Sequence, residues 1–378
     1  MPTLRFNLRM LEKPPMTRQT LFFRCLGLLL LAMGLIGRVP VAYAQTSASS
    51  PVVVVATPNP NVFPLLLAMA RNPNLPVKLV AVADGAGIDT AFATQNADAV
   101  LAMTSTIAAK VASGKVPPLR LTDATLWRGF TVMVMGDDVP APALAGLKGR
   151  GFIISGPTSG GQGGGPDLLF QAAMKRSGLA ADDLKICYLP VMAGVDWLMN
   201  RKPLGDHANC EPDKDVPAAG MLLVEPAVSG LTLMSRLPWK PRVDARIPIE
   251  PIFSGFKAWP ANQLPHGGLA VRIATLDDTS RAAAVLQVRQ AYAAAIDEIN
   301  AAHGSAIARY RLARVVSSGF KEHFGSFGLD LPALALANSL SEQALLYRRD
   351  LAVPALAGDL EKFLTEVVGR SLPASFYR

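Results

Sequence analysis

The chain has 378 residues, half of them hydrophobic and only 17% charged, with a formal net charge of +8. Residues 1–44 carry six Lys/Arg and one Glu, so the remainder holds 31 basic against 28 acidic residues, a net +3. Those charges are scattered, with no basic run interleaved with aromatics, which argues against a nucleic-acid partner. The 3 Cys and 4 His are too few and too dispersed for a disulfide scaffold or a zinc site.

The start of the chain reads as a secretory signal peptide spanning 1–44. Arg5, Arg9, Lys13, Arg18 and Arg24 precede the apolar run 25–36. Arg38, Pro40, the small-x-small triplet Ala42-Tyr43-Ala44 and the polar stretch 45–50 follow. The apolar run is shorter than the roughly 20 residues that span a bilayer, so cleavage after Ala44 is expected rather than a membrane anchor. Cys25 opens the apolar run instead of ending it and stands behind Phe22-Phe23-Arg24, which is not a lipoprotein site. Met16 is an alternative start, opening a leader of more ordinary length.

Beyond the leader, Pro51 opens an apolar β-branched run, 52–55, which predicts a buried parallel strand. It stops at Thr57-Pro58-Asn59-Pro60, and a helix is predicted over 63–70. Strand 77–83, a short helix over 89–95 and strand 97–103 follow. Thr104-Ser105 then cap a helix running to about 112. Strand and helix alternating through short connections imply a parallel sheet covered by helices. A strand over 130–135 precedes a second set of such units, beginning with strand 151–155. A glycine-rich loop over 156–166 leads into helix 167–177. Strand 184–189, a helix over 194–200, the polar loop 201–217 and strand 218–224, ending at Glu225-Pro226, complete that set. Strands are predicted over 246–253 and 269–273. From 277 onward the chain reads as helical: 279–302, 305–316, 332–348 and 358–369.

Three loops stand where a parallel sheet offers its ligand site, beyond the carboxyl ends of strands and at helix N-termini with free N–H groups. They are Asn59-Pro60-Asn61, with Thr57 just before it and an apolar wall from Phe63; Thr104 and Ser105; and Thr158-Ser159-Gly160. Each is equally a capping or turn motif. Glu225 could meet an amine on a ligand or a backbone N–H. Trp127 could cover a ligand or pack in the core. His266, in a loop, could reach a ligand or sit at the surface. The glycine-rich loop lacks the Lys-Ser/Thr of a phosphate-binding loop, since Pro166-Asp167 follow it. No nucleophile elbow and no paired histidines suggest catalysis.

In order and spacing these features resemble the periplasmic solute-binding proteins of the nitrate/sulfonate/taurine class of ABC importers. The match is strongest over 147–229: Leu147-Lys148-Gly149, the loop 155–159, Arg176-Ser177-Gly178-Leu179, Asp182-Asp183-Leu184, Tyr188-Leu189-Pro190 and Leu223-Val224-Glu225-Pro226. Weaker support comes from Asn96-Ala97-Asp98-Ala99-Val100 and from Leu264-Pro265 to Arg272. The loops 160–166 and 201–217 depart from the pattern. The resemblance implies an α/β class II periplasmic-binding-protein fold, two α/β lobes joined by two hinge strands, with a helical C-terminal extension. It divides the chain into lobe 1 over 45–130, lobe 2 over 131–226, a return to lobe 1 over 227–275, and a helical region, 276–378, packed on lobe 1. It further implies a monomeric periplasmic protein, without cofactor or metal, that passes a small-molecule solute carrying an anionic group to an ABC permease in the cytoplasmic membrane. The alternatives are a sensor partner of the same fold and, less favoured, an enzyme of related fold. Cys187, on strand 184–189, and Cys210, in the loop entering strand 218–224, are expected to form a disulfide. The alternatives are two free thiols, or a metal held by Cys210 with His207 and Asp213.

Overall fold

The computed structural model describes residues 50–135, 143–156, 161–207, 210, 216–237 and 245–378. The expected signal peptide and its cleavage site lie outside the described residues.

Two sheets organise the chain. The first begins with β1 (Val52–Ala56), whose β-branched run is buried because parallel partners flank it. Those partners are β2 (Val77–Ala81) and β3 (Ala99–Met103), in register with Val54 opposite Leu79 and Ala99. Helices α1 (Phe63–Arg71), α2 (Gly85–Thr94) and α3 (Thr104–Ala112) make the connections. Asp84 caps α2 by accepting from the Ala86 and Gly87 amides at 3.0 and 3.1 Å.

A ten-residue strand not anticipated from the sequence, β4 (Leu119–Arg128), follows, and after Gly129 the chain continues into β5 (Phe130–Val134). β4 belongs to the first sheet and β5 to the second, so this extended passage is the first connection between lobes. The second sheet adds β6 (Gly151–Gly156), β7 (Lys185–Pro190), β8 (Ala218–Val224) and β9 (Ala245–Pro248), in the order β7-β6-β8-β5-β9. Its helices are α4 (Gly165–Arg176), α5 (Val191–Met199) and α6 (Ala227–Met234), the last unanticipated. The strand predicted over 246–253 ends at Pro248, and a 3-10 turn, Glu250–Phe253, replaces its second half. Because β9 still pairs with β5, the return to the first lobe starts after it, not at 227 as the sequence suggested.

The chain re-enters the first sheet as β10 (Gly267–Arg272), antiparallel to both β3 and β4. Glycine is required here. A Cβ on Gly267 would stand 2.9 Å from Asn61 Cγ, and one on Gly268 would stand 3.0 Å from Leu121 Cδ1. Helices α7 (Ile273–Asp277), α8 (Thr279–Ala302) and α9 (Ala306–Phe324) follow. The helix expected over 332–348 is instead α10 (Ala333–Ser339) and a two-residue strand, β11 (Leu346–Tyr347), which covers the free edge of β4. Last comes α11 (Val353–Val368), with Pro354 in its first turn and Gly369 left-handed at its end.

Among the described residues the core has three parts. One packs α1, α8 and α9 on the first sheet, with Phe63, Tyr292, Ile296 and Phe320 buried in it. A second, with Ile153, Leu198 and Met221, fills one side of the second sheet. The third runs without a break from Val100 and Trp127 in the first lobe, through Phe253, Trp259 and Phe363, to Phe152 and Phe170 in the second. The C-terminal region therefore does not pack on the first lobe alone: α11 touches α3 and also α4, and α10 touches α6.

Candidate functional site

The carboxyl ends of β1 and β3 and those of β6, β7 and β8 are where a solute would bind in such sheets. The sharpest feature there is the start of α3. Met103, its N-cap, offers no side-chain cap, and its first turn has no acid, so helix N–H groups are left without side-chain acceptors. Thr104 and Ser105 are buried at 1% and 2% exposure. Thr104 Oγ1 donates to the Pro265 carbonyl, and its amide to the His266 carbonyl at 2.9 Å. Ser105 Oγ donates to the Gly165 carbonyl at 3.3 Å, across to the first residue of α4 in the other lobe. The two helix starts thus face each other. A Cβ on Gly165 would lie 2.8 Å from Ser105 Oγ and would also run into Thr106 Oγ1, so only glycine permits this approach.

The described end of the glycine-rich loop, residues 161–164 leading into α4, has left-handed backbone at Gly161 and Gly163. Thr158, Ser159 and Gly160, the loop's expected ligand contacts, lie outside the described residues. Asp167, which sequence reading passed over, orders the end of this loop. Its carboxylate accepts from the Gly163 amide at 2.7 Å and from the Tyr188 hydroxyl at 3.1 Å. Burial, and then the Asp167 charge, push the Tyr188 phenol well above its ordinary range, which keeps it a neutral donor. An acid two residues after the glycine run, in the first turn of a helix, was the available signal. Ser155, at the end of β6, donates to the Leu222 carbonyl at 2.8 Å.

The other expected contacts divide. Thr57 and Asn59 are half-buried and bonded to each other, Asn59 Nδ2 donating to Thr57 Oγ1 at 2.8 Å. Asn59 also caps the 3-10 turn Pro60–Val62. Phe63 is no cleft wall: it is buried against Phe320 of α9, ring centroids 6.2 Å apart. Trp127 is fully buried, donates to the Ala124 carbonyl at 2.8 Å and packs edge-on to Trp259, which makes it core.

His266 is not at the surface. It is 2% exposed, with Nε2 2.9 Å from Glu250 Oε1 and its ring 5.1 Å from that of Phe130. It pins the return connection where β10 begins. Glu225, 4% exposed at the end of β8, accepts from the Ser229 amide at 3.1 Å and so caps α6. Burial pushes its carboxyl up to about 7, against the weaker pull of the Ser229 donors and Arg246. The peptide bond Glu225–Pro226 is cis.

Asn61 is spoken for structurally. Its Nδ2 donates to the Gly268 carbonyl at 2.9 Å, and its Oδ1 accepts from Thr125 and Tyr292, both at 3.0 Å. It locks β10 to the first loop. Cys187 and Cys210 are joined by a disulfide, with Cα atoms 5.3 Å apart, which ties the loop 201–217 to β7. Asp213 lies outside the described residues. Among the described residues no group of His, Cys, Asp and Glu could hold a metal ion, and no helix is long and apolar enough to cross a membrane. A groove of about 700 Å³ lies between α1 and α9, lined by Leu66, Met69, Arg311 and Arg314, but it is away from every strand end considered above.

No family model matches the sequence, and neither does any curated protein. The fold does match solved structures. A protein from Bordetella bronchiseptica RB50 superposes with TM-score 0.55 at 17% identity, over 88% of this chain and 94% of its own. The periplasmic aliphatic sulphonate binding protein SsuA from Escherichia coli gives TM-score 0.54 at 12% identity, over 85% and 86%. The alkanesulfonate-binding protein SsuA from Xanthomonas axonopodis pv. citri bound to MOPS gives TM-score 0.54 at 14% identity, over 88% and 97%. The chain has the two-lobed periplasmic-binding-protein fold, with a helical C-terminal part.

Proposed function

We propose that this protein captures a small solute between its lobes and delivers it to an ABC permease. In this reading it is exported, loses its first 44 residues and works as a periplasmic monomer. The observation that carries the proposal is the buried, uncapped start of α3 facing the glycine-rich loop and the start of α4 from the other lobe. Free N–H groups and the helix dipole favour an anionic group there, and Ser105 supplies a hydroxyl. The other helix start is a weaker attractor, because Asp167 already occupies part of it. Thr57 and Asn59, half-buried at the end of β1, are proposed as further contacts, and Thr158, Ser159 and Gly160 are proposed to complete the site. The sulfonate ligands named for two proteins of the same fold are compatible with an anionic group.

Capture follows from two lobes with two connections. A solute bridging them binds the closed arrangement better and shifts the population towards it. The test is a thermal-shift screen of the protein lacking residues 1–44 against small sulfonates, carboxylates and inorganic anions. Positive compounds would then be repeated on Ser105→Ala. A shift that shrinks in the variant supports the site. No shift from any anion class, or shifts that Ser105→Ala leaves untouched, would remove this site from the proposal.

A further inference from the structure

The C-terminal helix has a position that solute capture does not call for. α11 lies against α3 and β4 of the first lobe and against α4 of the second. Three residues on one face of it, spaced four and three apart, make the contacts. Asp359 Oδ2 accepts from the Lys257 and Ala258 amides, at 2.7 and 2.9 Å, and so grips the return connection. Phe363 fills an aromatic cluster with Phe253, Phe256 and Trp259, centroids 5.5 to 6.2 Å away. Glu366 receives Arg176, at the end of α4, in a bidentate pair at 2.6 and 2.7 Å. The Arg176 guanidinium also lies 5.1 and 5.2 Å from the Phe253 and Phe256 rings and donates to the Ser254 carbonyl at 3.0 Å. Beyond the helix, Arg370 donates to the Ala112 carbonyl, at the end of α3.

These contacts differ in kind. Those to the first lobe and to the return connection are apolar or made to backbone. The contact to α4 joins the shared core but adds a charged pair at its edge, whose side chains are 26% and 31% exposed and so can exchange partners with water. We propose that α11 is a brace between the lobes and that Arg176–Glu366 is its latch, holding the lobes together while the site is empty. Opening then requires the latch to part, and its strength sets the fraction of empty molecules that are closed. That fraction scales the apparent affinity for a solute. The consequence for affinity rests on the solute reading, but the brace does not.

The test therefore uses the empty protein. Bio-orthogonal fluorophores at exposed Asn74 in the first lobe and exposed Ala181 in the second report the interlobe distance by single-molecule energy transfer, with the native disulfide intact. The parent should give one narrow population. Arg176→Met, and separately Glu366→Gln, which keeps the side-chain size, should raise a longer-distance population roughly two- to fivefold, as loss of a partly exposed ion pair would. Arg71→Met is the control. It removes the pair Arg71–Glu298 of similar geometry, at 2.6 and 3.1 Å between α1 and α8, inside one lobe, and should change nothing. Circular dichroism checks that each variant is folded. A broad parent distribution, unchanged distances in folded Glu366→Gln, or an equal response in Arg71→Met would each overturn the brace. A solute found to bind elsewhere would leave it standing.

Discussion

Glu225 carries the clearest pH signature at the level of single residues. Its carboxyl, ordinarily near 4.5, is raised to about 7 by burial, so the folded protein holds a proton there that the unfolded chain releases. Stability from this group is therefore greatest below about pH 4.5 and is lost as pH rises through 7, by about 3 kcal/mol in all. Glu225→Gln keeps an acceptor for the Ser229 amide and cannot ionise. Melting temperatures of the two proteins should nearly coincide at pH 5, with the variant the more stable at pH 8. An equal gap at both pH values would mean that the carboxylate is not desolvated as the structure shows. Asn61 makes a second case. Asn61→Ala removes the side-chain donor to the Gly268 carbonyl and the shared acceptor of Thr125 and Tyr292. Those two keep their bond to each other, and Tyr292 keeps its bond to the residue 61 carbonyl, so the change should cost about 1–3 kcal/mol in denaturant unfolding. A loss under 1 kcal/mol would show that the network is not closed as described.

At the level of elements, the disulfide and the facing helix starts give separate tests. Cys187–Cys210 closes a separation of 23 residues, worth about 3 kcal/mol in the chain-entropy model. Thiol titration of denatured, unreduced protein lacking residues 1–44 should find no free thiol, and reduction should lower the melting temperature; two free thiols would refute the bridge. Gly165→Ala should force α3 and α4 apart while leaving both sheets intact, weakening solute binding without a comparable loss of helical signal. Unchanged affinity in that variant would mean the two helix starts do not frame the site.

How far these elements could be read in advance follows from their physics. β1, β3, β6 and β8 are apolar runs bounded by turn residues, and a strand buried on both faces announces itself that way. β4 does not, because bulges against β10 at Gly267/Gly268 and Leu269/Ala270 break its alternation while Arg120, Thr122 and Asp123 make it look polar. β11 is two residues long and exists only because β4 has an edge to cover. Ser105 was legible as a helix start, but its partner Gly165 lies sixty residues on. His266, read as a ligand contact or a surface residue, and Phe63, read as an apolar wall for a ligand, are buried by partners that their local sequence does not reveal, Glu250 and Phe320.

For the whole molecule, the continuous core through Trp127, Phe253, Trp259 and Phe363 means that the lobes are not joined by two bare connections. Domain rotation must work against, or around, α11. If solute capture and the brace both hold as proposed, the empty protein rests close to its solute-bound arrangement, and a solute shifts its population more than its geometry. The central claim is that a small molecule resides between these lobes, and native mass spectrometry tests it most directly. The protein lacking residues 1–44, prepared gently from the cells that make it, should show a 1:1 adduct that denaturation releases and Gly165→Ala depletes. A spectrum containing only the bare protein mass, unchanged after incubation with a concentrated extract of small anions from those cells, would contradict the account.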